Sequence, residues 1–153
     1  MTRVEAKRVV RRVYALLDGI SEPSGSLTWH IITARAGDPH AFVQEEYDAA
    51  GNRNETLFVY ENGISLNRNL SCEEIALHET RHIVQFRRGK ELFASHDALF
   101  LRVLSISEKD PRVMDLLVRC RHANIKDALE SDAVFVTALA YELEYPVAMA
   151  LTL

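Results

Sequence analysis

Ser71-Cys72-Glu73-Glu74-Ile75-Ala76-Leu77-His78-Glu79-Thr80-Arg81-His82-Ile83-Val84-Gln85-Phe86 reads as a helix with both of its ends marked. Ser71 and Glu74 have the spacing of a capping box, and Gly89 follows the last helical residue. The expected helix therefore runs over 72–88. On a helical wheel Ile75, His78, His82 and Phe86 share one face, with Glu79 at its edge. Leu77, Thr80 and Val84 lie on the opposite side. A helix apolar on two sides belongs in the centre of a fold. His78 and His82 are four residues apart, so their imidazoles stand one turn apart on the same face. Two such rings can reach one metal ion at about 2.0–2.1 Å each. Glu79 sits beside the pair, where it can take a proton from water bound to that metal. Polar groups on the inner face of a helix need compensation, and a metal supplies it. The competing reading is a pair of histidines held by ordinary local hydrogen bonds.

A zinc site needs a third protein ligand. Arg88 stands six residues after His82, and Gln85 stands where a glycine would be needed, so the H-E-x-x-H-x-x-G-x-x-H arrangement is absent. The ligand must come from farther along, and the candidates are Glu130, Asp132, Glu142, His96, Asp97 and His122. Glu130 is favoured because it opens a long last helix able to pack against the motif helix. At about 100° per residue Asp132 points about 200° away from Glu130, so both cannot face one metal. A solvated acid near a helix N-terminus is the plainer reading of Glu130, and His96 is its main rival. Asp132 and Glu142 are candidates for orienting a ligating His through its other ring nitrogen. Tyr141, His96 and His122 are candidates for a second electrophile facing a developing oxyanion.

Around this segment the chain reads as one α+β domain over residues 1–153. A first helix over 2–18 begins with the capping box of Thr2 and Glu5 and ends at Gly19. Strands are expected at Leu27–Thr33, Ala41–Tyr47 and Thr56–Tyr60. Asn62-Gly63 is expected to turn a hairpin into Ile64-Ser65-Leu66. The sheet should be small and mostly antiparallel. After the motif helix, further helices are expected near 91–106, 111–121 and 125–145, with Pro146 ending the last. The apolar tail Val147–Leu153 suggests docking on the body, an oligomer contact, or the point where a longer protein was cut.

Composition narrows the function classes. The chain is 48% hydrophobic and 26% charged with net charge −4, which excludes a disordered segment. A pI near 5.9 argues against a general nucleic-acid binder. No run of eighteen apolar residues exists, so no membrane span is expected; Val134–Leu153 is broken by Glu142, Glu144 and Pro146. The N-terminus lacks the pattern of a secretory signal. The two cysteines form no CxxC pair, Cys72 reads as structural, and a reducing cytoplasm is the default location. The basic face of the first helix and the cluster Arg87, Arg88 and Lys90 read as solvated surfaces.

His78-Glu79-Thr80-Arg81-His82, followed by Glu130-Ser131-Asp132-Ala133, resembles the H-E-x-x-H … E-x-x-A arrangement of gluzincin-type zinc metallopeptidases, the small minimal ones especially. Residues 57–145, with Tyr141-Glu142-Leu143, are similar to uncharacterised bacterial metallopeptidase-like domains. The resemblance implies a zincin-like fold, a zinc ion on His78, His82 and Glu130, and Glu79 as catalytic base. It also implies a peptide or protein substrate laid along a strand beside the site, for which Leu57–Tyr60 is the candidate. Two other readings compete. One is a catalytically silent peptidase-like scaffold that binds a partner protein, and the other is a zinc hydrolase of a non-peptide amide.

Overall fold

The computed structural model describes residues 1–20, 25–62, 70–122 and 125–153, with backbone alone at 121–122. The chain is α+β. Helix α1 (Arg3–Asp18) precedes strands β1 (Ser26–Thr33), β2 (Ala41–Tyr47) and β3 (Arg53–Glu61). Then follow α2 (Cys72–Arg88), a 3-10 turn at Lys90–Phe93, α3 (His96–Lys109), α4 (Pro111–His122), α5 (Ala128–Tyr141) and α6 (Val147–Leu151). No described helix is long and apolar enough to cross a membrane.

The expected α1 and α2 form with the caps read from sequence. Thr2 and Glu5 close one capping box, Ser71 and Glu74 the other. The helical block divides differently from expectation. Ser95 Oγ accepts the Ala98 N–H at 3.1 Å and starts a new helix at His96, so the expected 91–106 helix splits after its 3-10 turn. Asp127 Oδ1 accepts the N–H of Leu129 (2.8 Å) and of Glu130 (3.4 Å), so the last long helix begins at Ala128 rather than 125. It ends at Tyr141, and Glu144 takes a positive φ of 56° before Pro146 opens α6. The tail docks on the body: Ala150 and Leu151 are fully buried.

The three strands form one sheet in the order β1-β3-β2. β2 runs antiparallel to β3, joined by a loop in which Asp48 Oδ1 accepts the N–H of Ala50 and Asn52 at 2.9 and 2.8 Å. Gly51, with φ of 82°, supplies the left-handed turn residue. β1 lies parallel to β3, with Ser26 opposite Asn54 and Thr33 opposite Glu61. The mostly antiparallel sheet is thus corrected to one antiparallel and one parallel pairing. The reason is burial. β3 holds the most apolar run, Leu57-Phe58-Val59-Tyr60, and the central position covers it best, leaving the more polar β1 and β2 as edges. The hairpin expected at Asn62-Gly63 and the strand at 64–66 lie outside the described residues.

Leu57 and Val59 point into a core formed with α1 and α2, and both are fully buried. That core continues through Leu77, Leu99, Leu116, Phe135 and Leu139, each of which contributes about 1.5–3 kcal/mol by leaving water. α2 touches α1, α5, α6, β2 and the 3-10 turn, which makes it the central helix. Its basic neighbours are anchored. Arg12 of α1 makes a bidentate pair with Glu73 at 2.9–3.0 Å. Arg87 reaches buried Glu55 at 3.4 Å and the Gly25 carbonyl at 3.3 Å, so it is not a solvated end of α2. The far face of the sheet carries a stack of His30, Phe58, Phe42 and Tyr60, with Phe42 and Phe58 4.8 Å apart.

Candidate metal centre

His78 and His82 leave α2 on the side that faces the start of α5. Glu130, three residues into α5, meets them. One carboxylate oxygen lies 2.8 Å from His78 Nε2 and the other 3.0 Å from His82 Nε2, while the two Nε2 atoms are 3.2 Å apart. One ligand atom from each of the three residues falls within 4.8 Å of the others. The rings stand edge to face, at 83°. Two imidazole nitrogens and a carboxylate on one point suit a divalent metal such as zinc, and they leave a coordination position open.

Electrostatics follows the geometry. Burial opposes charge on His82, but the hydrogen bond it donates to Glu130 and the charge of Glu79 outweigh it and hold its pKa up at about 9. Burial would raise the Glu130 pKa, but hydrogen bonds from His78 and His82 hold its carboxyl far below the usual carboxylate range. The start of α5 adds a favourable dipole. Glu79 is buried beside the pair, and burial pushes its pKa up against the lowering influence of His78 and His82. Its Oε2 has no hydrogen-bond partner among the described residues. An orphaned carboxylate oxygen beside three converging donors fits a site that holds a metal and a water.

The site opens into a cleft of about 380 Å³. Its wall includes Pro39, Phe42, Val43, Phe86, Asp127 and Leu129. β2 therefore borders the cleft as an edge strand. Leu57–Tyr60, expected to receive a substrate strand, lies in β3, whose two sides are taken by β1 and β2. It has no edge to offer, whereas Ala41–Val43 of β2 lines the cleft.

The remaining candidates separate cleanly. Asp132 turns away from the point where His78, His82 and Glu130 converge, as its wheel angle requires, and is fully buried. Glu142 pairs with Arg119 at 3.2 Å, away from the cleft. Tyr141 is eleven residues beyond Glu130, about 16 Å along the helix axis, and half-exposed. Neither Tyr141, His96 nor Asp97 is among the described residues lining the cleft. The side chain of His122 lies outside the described residues.

The surroundings of Asp132 were hidden from the sequence. Arg81 Nε and Nη2 reach its two oxygens at 2.6 and 3.0 Å, and Arg102 Nη2 adds a contact at 2.5 Å. Both guanidiniums lie over the Phe93 ring, at 4.8 and 4.6 Å. Arg81 also donates to the Leu151 carbonyl at 2.6 Å, tying α6 to the back of the motif helix. Gln85 joins this network to the site: its amide lies 2.8 Å from His82 Nδ1, 2.9 Å from the Leu129 carbonyl and 2.7 Å from Asp132. One signal was present. Arg81 falls on the apolar stripe of Leu77 and Val84, where a charge must be paired to be buried.

A pH dependence follows from Asp132. Burial would raise its pKa, but Arg81 and Arg102 hold it below the ordinary 3.8. A lowered carboxylate pKa contributes stability that is complete above the unfolded value and is lost as pH falls through the folded one. Denaturant unfolding of wild type against Asp132→Asn is expected to show a constant wild-type advantage above pH 3.8 that shrinks below it. No protein-family model, no curated protein and no solved structure matches the chain.

Proposed function

We propose that the protein is a zinc-dependent peptidase. The observation that carries this reading is the convergence of His78, His82 and Glu130 within 4.8 Å, beside a Glu79 oxygen that has no partner among the described residues. His78, His82 and Glu130 would hold the ion, which when bound supplies Lewis acidity toward water and a substrate carbonyl. Glu79 accepts the proton of the attacking water at Oε2 and delivers it to the leaving amine nitrogen. The apolar side chains of Pro39, Val43 and Phe86 line the cleft beside that transfer. The β2 edge offers backbone donors and acceptors to an extended chain, which supports a peptide over a compact amide substrate.

The test is a cleavage screen. The full chain, loaded with zinc, is incubated with denatured proteins and the products are read by mass spectrometry. Cleavage that a chelator abolishes and added zinc restores is expected. Zinc-loaded protein that cuts nothing, or cuts equally well in chelator, contradicts the reading and favours the non-catalytic scaffold.

A further inference from the structure

Gln85 lies three residues after His82 on α2, fully buried. A side-chain amide has one acceptor oxygen and one NH2 group, and its neighbours decide which end goes where. Here they leave one choice. The Leu129 carbonyl at 2.9 Å only accepts. Asp132 at 2.7 Å only accepts as well, because donors already occupy both of its oxygens. Arg81 Nε and Gln85 share Oδ2, while Arg81 Nη2 and Arg102 Nη2 share Oδ1. The reversed amide would aim its oxygen at two other oxygens. Gln85 Oε1 therefore faces His82 Nδ1, 2.8 Å away, and that contact is a hydrogen bond only if Nδ1 carries the proton.

We propose that Gln85 is a positioning residue: its amide, oriented by Asp132 and the Leu129 carbonyl, holds His82 as the Nδ1–H tautomer and so presents the Nε2 lone pair to the metal. This rests on His82 being a metal ligand. The fixed charge that orients the site is Asp132, two bonds of the network away from the ring it controls. Asp132 is itself held by two arginines from α2 and α3. Partners of this kind fix ring orientation and raise ligand basicity, and losing one costs about 10–100-fold in metal affinity.

The experiment uses the full chain, zinc alone as ligand, and 15N imidazole NMR. In the zinc-loaded wild type, His82 is expected to show a protonated, slowly exchanging Nδ1 and a metal-bound Nε2. Gln85→Leu keeps the volume and removes the acceptor. Its zinc dissociation constant is expected to rise about 10–100-fold, with the Nδ1 proton exchanging freely. A change under about threefold with the Nδ1 proton still protected overturns the role of Gln85. So does zinc bound through Nδ1 in the wild type, a result that needs no variant to fold. A wild type that takes up no zinc in this cleft overturns the metal reading and this inference together. The failure of one is thus told from the failure of both.

Discussion

If the proposed function holds, Glu79→Gln is expected to abolish hydrolysis while zinc binding is kept. Glu79 is not one of the three groups that converge, so their grip does not depend on it. Its carboxylate is the general base of the proposed reaction, and general bases contribute about 10²–10⁴ in rate. Loss of at least about 100-fold in kcat is expected in a peptide-cleavage assay, with zinc content and melting temperature close to wild type. Gln has nearly the same shape, and Glu79 Oε2 has no hydrogen bond to lose among the described residues. A variant that keeps most of its activity would mean that another group moves the proton. A wild type without activity, whose biological effect survives in Glu79→Gln, would instead support the binding scaffold.

Asp132→Asn is expected to produce the largest loss of stability. Asp132 is the shared counter-charge of Arg81 and Arg102, and the Arg81 side chain is fully buried. Removing one member of a buried ion pair costs about 3–5 kcal/mol, since the other charge is left uncompensated in a poorly polarisable interior. In a chain of this length that corresponds to a fall in melting temperature of about 6–20 °C. The neutral amide also offers an NH2 group to a site surrounded by donors. Thermal unfolding of the metal-free protein measures the effect directly. An Asp132→Asn protein within about 1 kcal/mol of wild type would show that the arginines find other partners or water.

The motif helix was legible because its signals are local. Ser71, Glu74 and Gly89 fix its ends, and the four-residue spacing of His78 and His82 fixes a shared face. That Glu130 and Asp132 face opposite ways, with Glu130 on the side of the histidines, was legible for the same reason, since a helical wheel is a local rule. The parallel pairing of β1 with β3 was not legible. Strand alternation says which face is apolar but not which strand lies beside which, and that is decided by which strand the helices bury. The start of α5 was misplaced although Asp127 and Glu130 carry the spacing of a capping pair. The roles of Arg81, Gln85 and Arg102 depend on contacts made 30 to 51 residues away in sequence. Read singly, such residues look like surface charge. Only the packing of α2, α3 and α5 around one carboxylate reveals their work.

The most direct measurement is anomalous diffraction at the zinc edge from crystals of the protein grown with zinc. A single peak is expected within about 2.0–2.2 Å of His78 Nε2, His82 Nε2 and a Glu130 oxygen, with Glu79 beside it and not bound to it. A peak elsewhere, or none while both imidazoles turn apart from Glu130, would contradict the account.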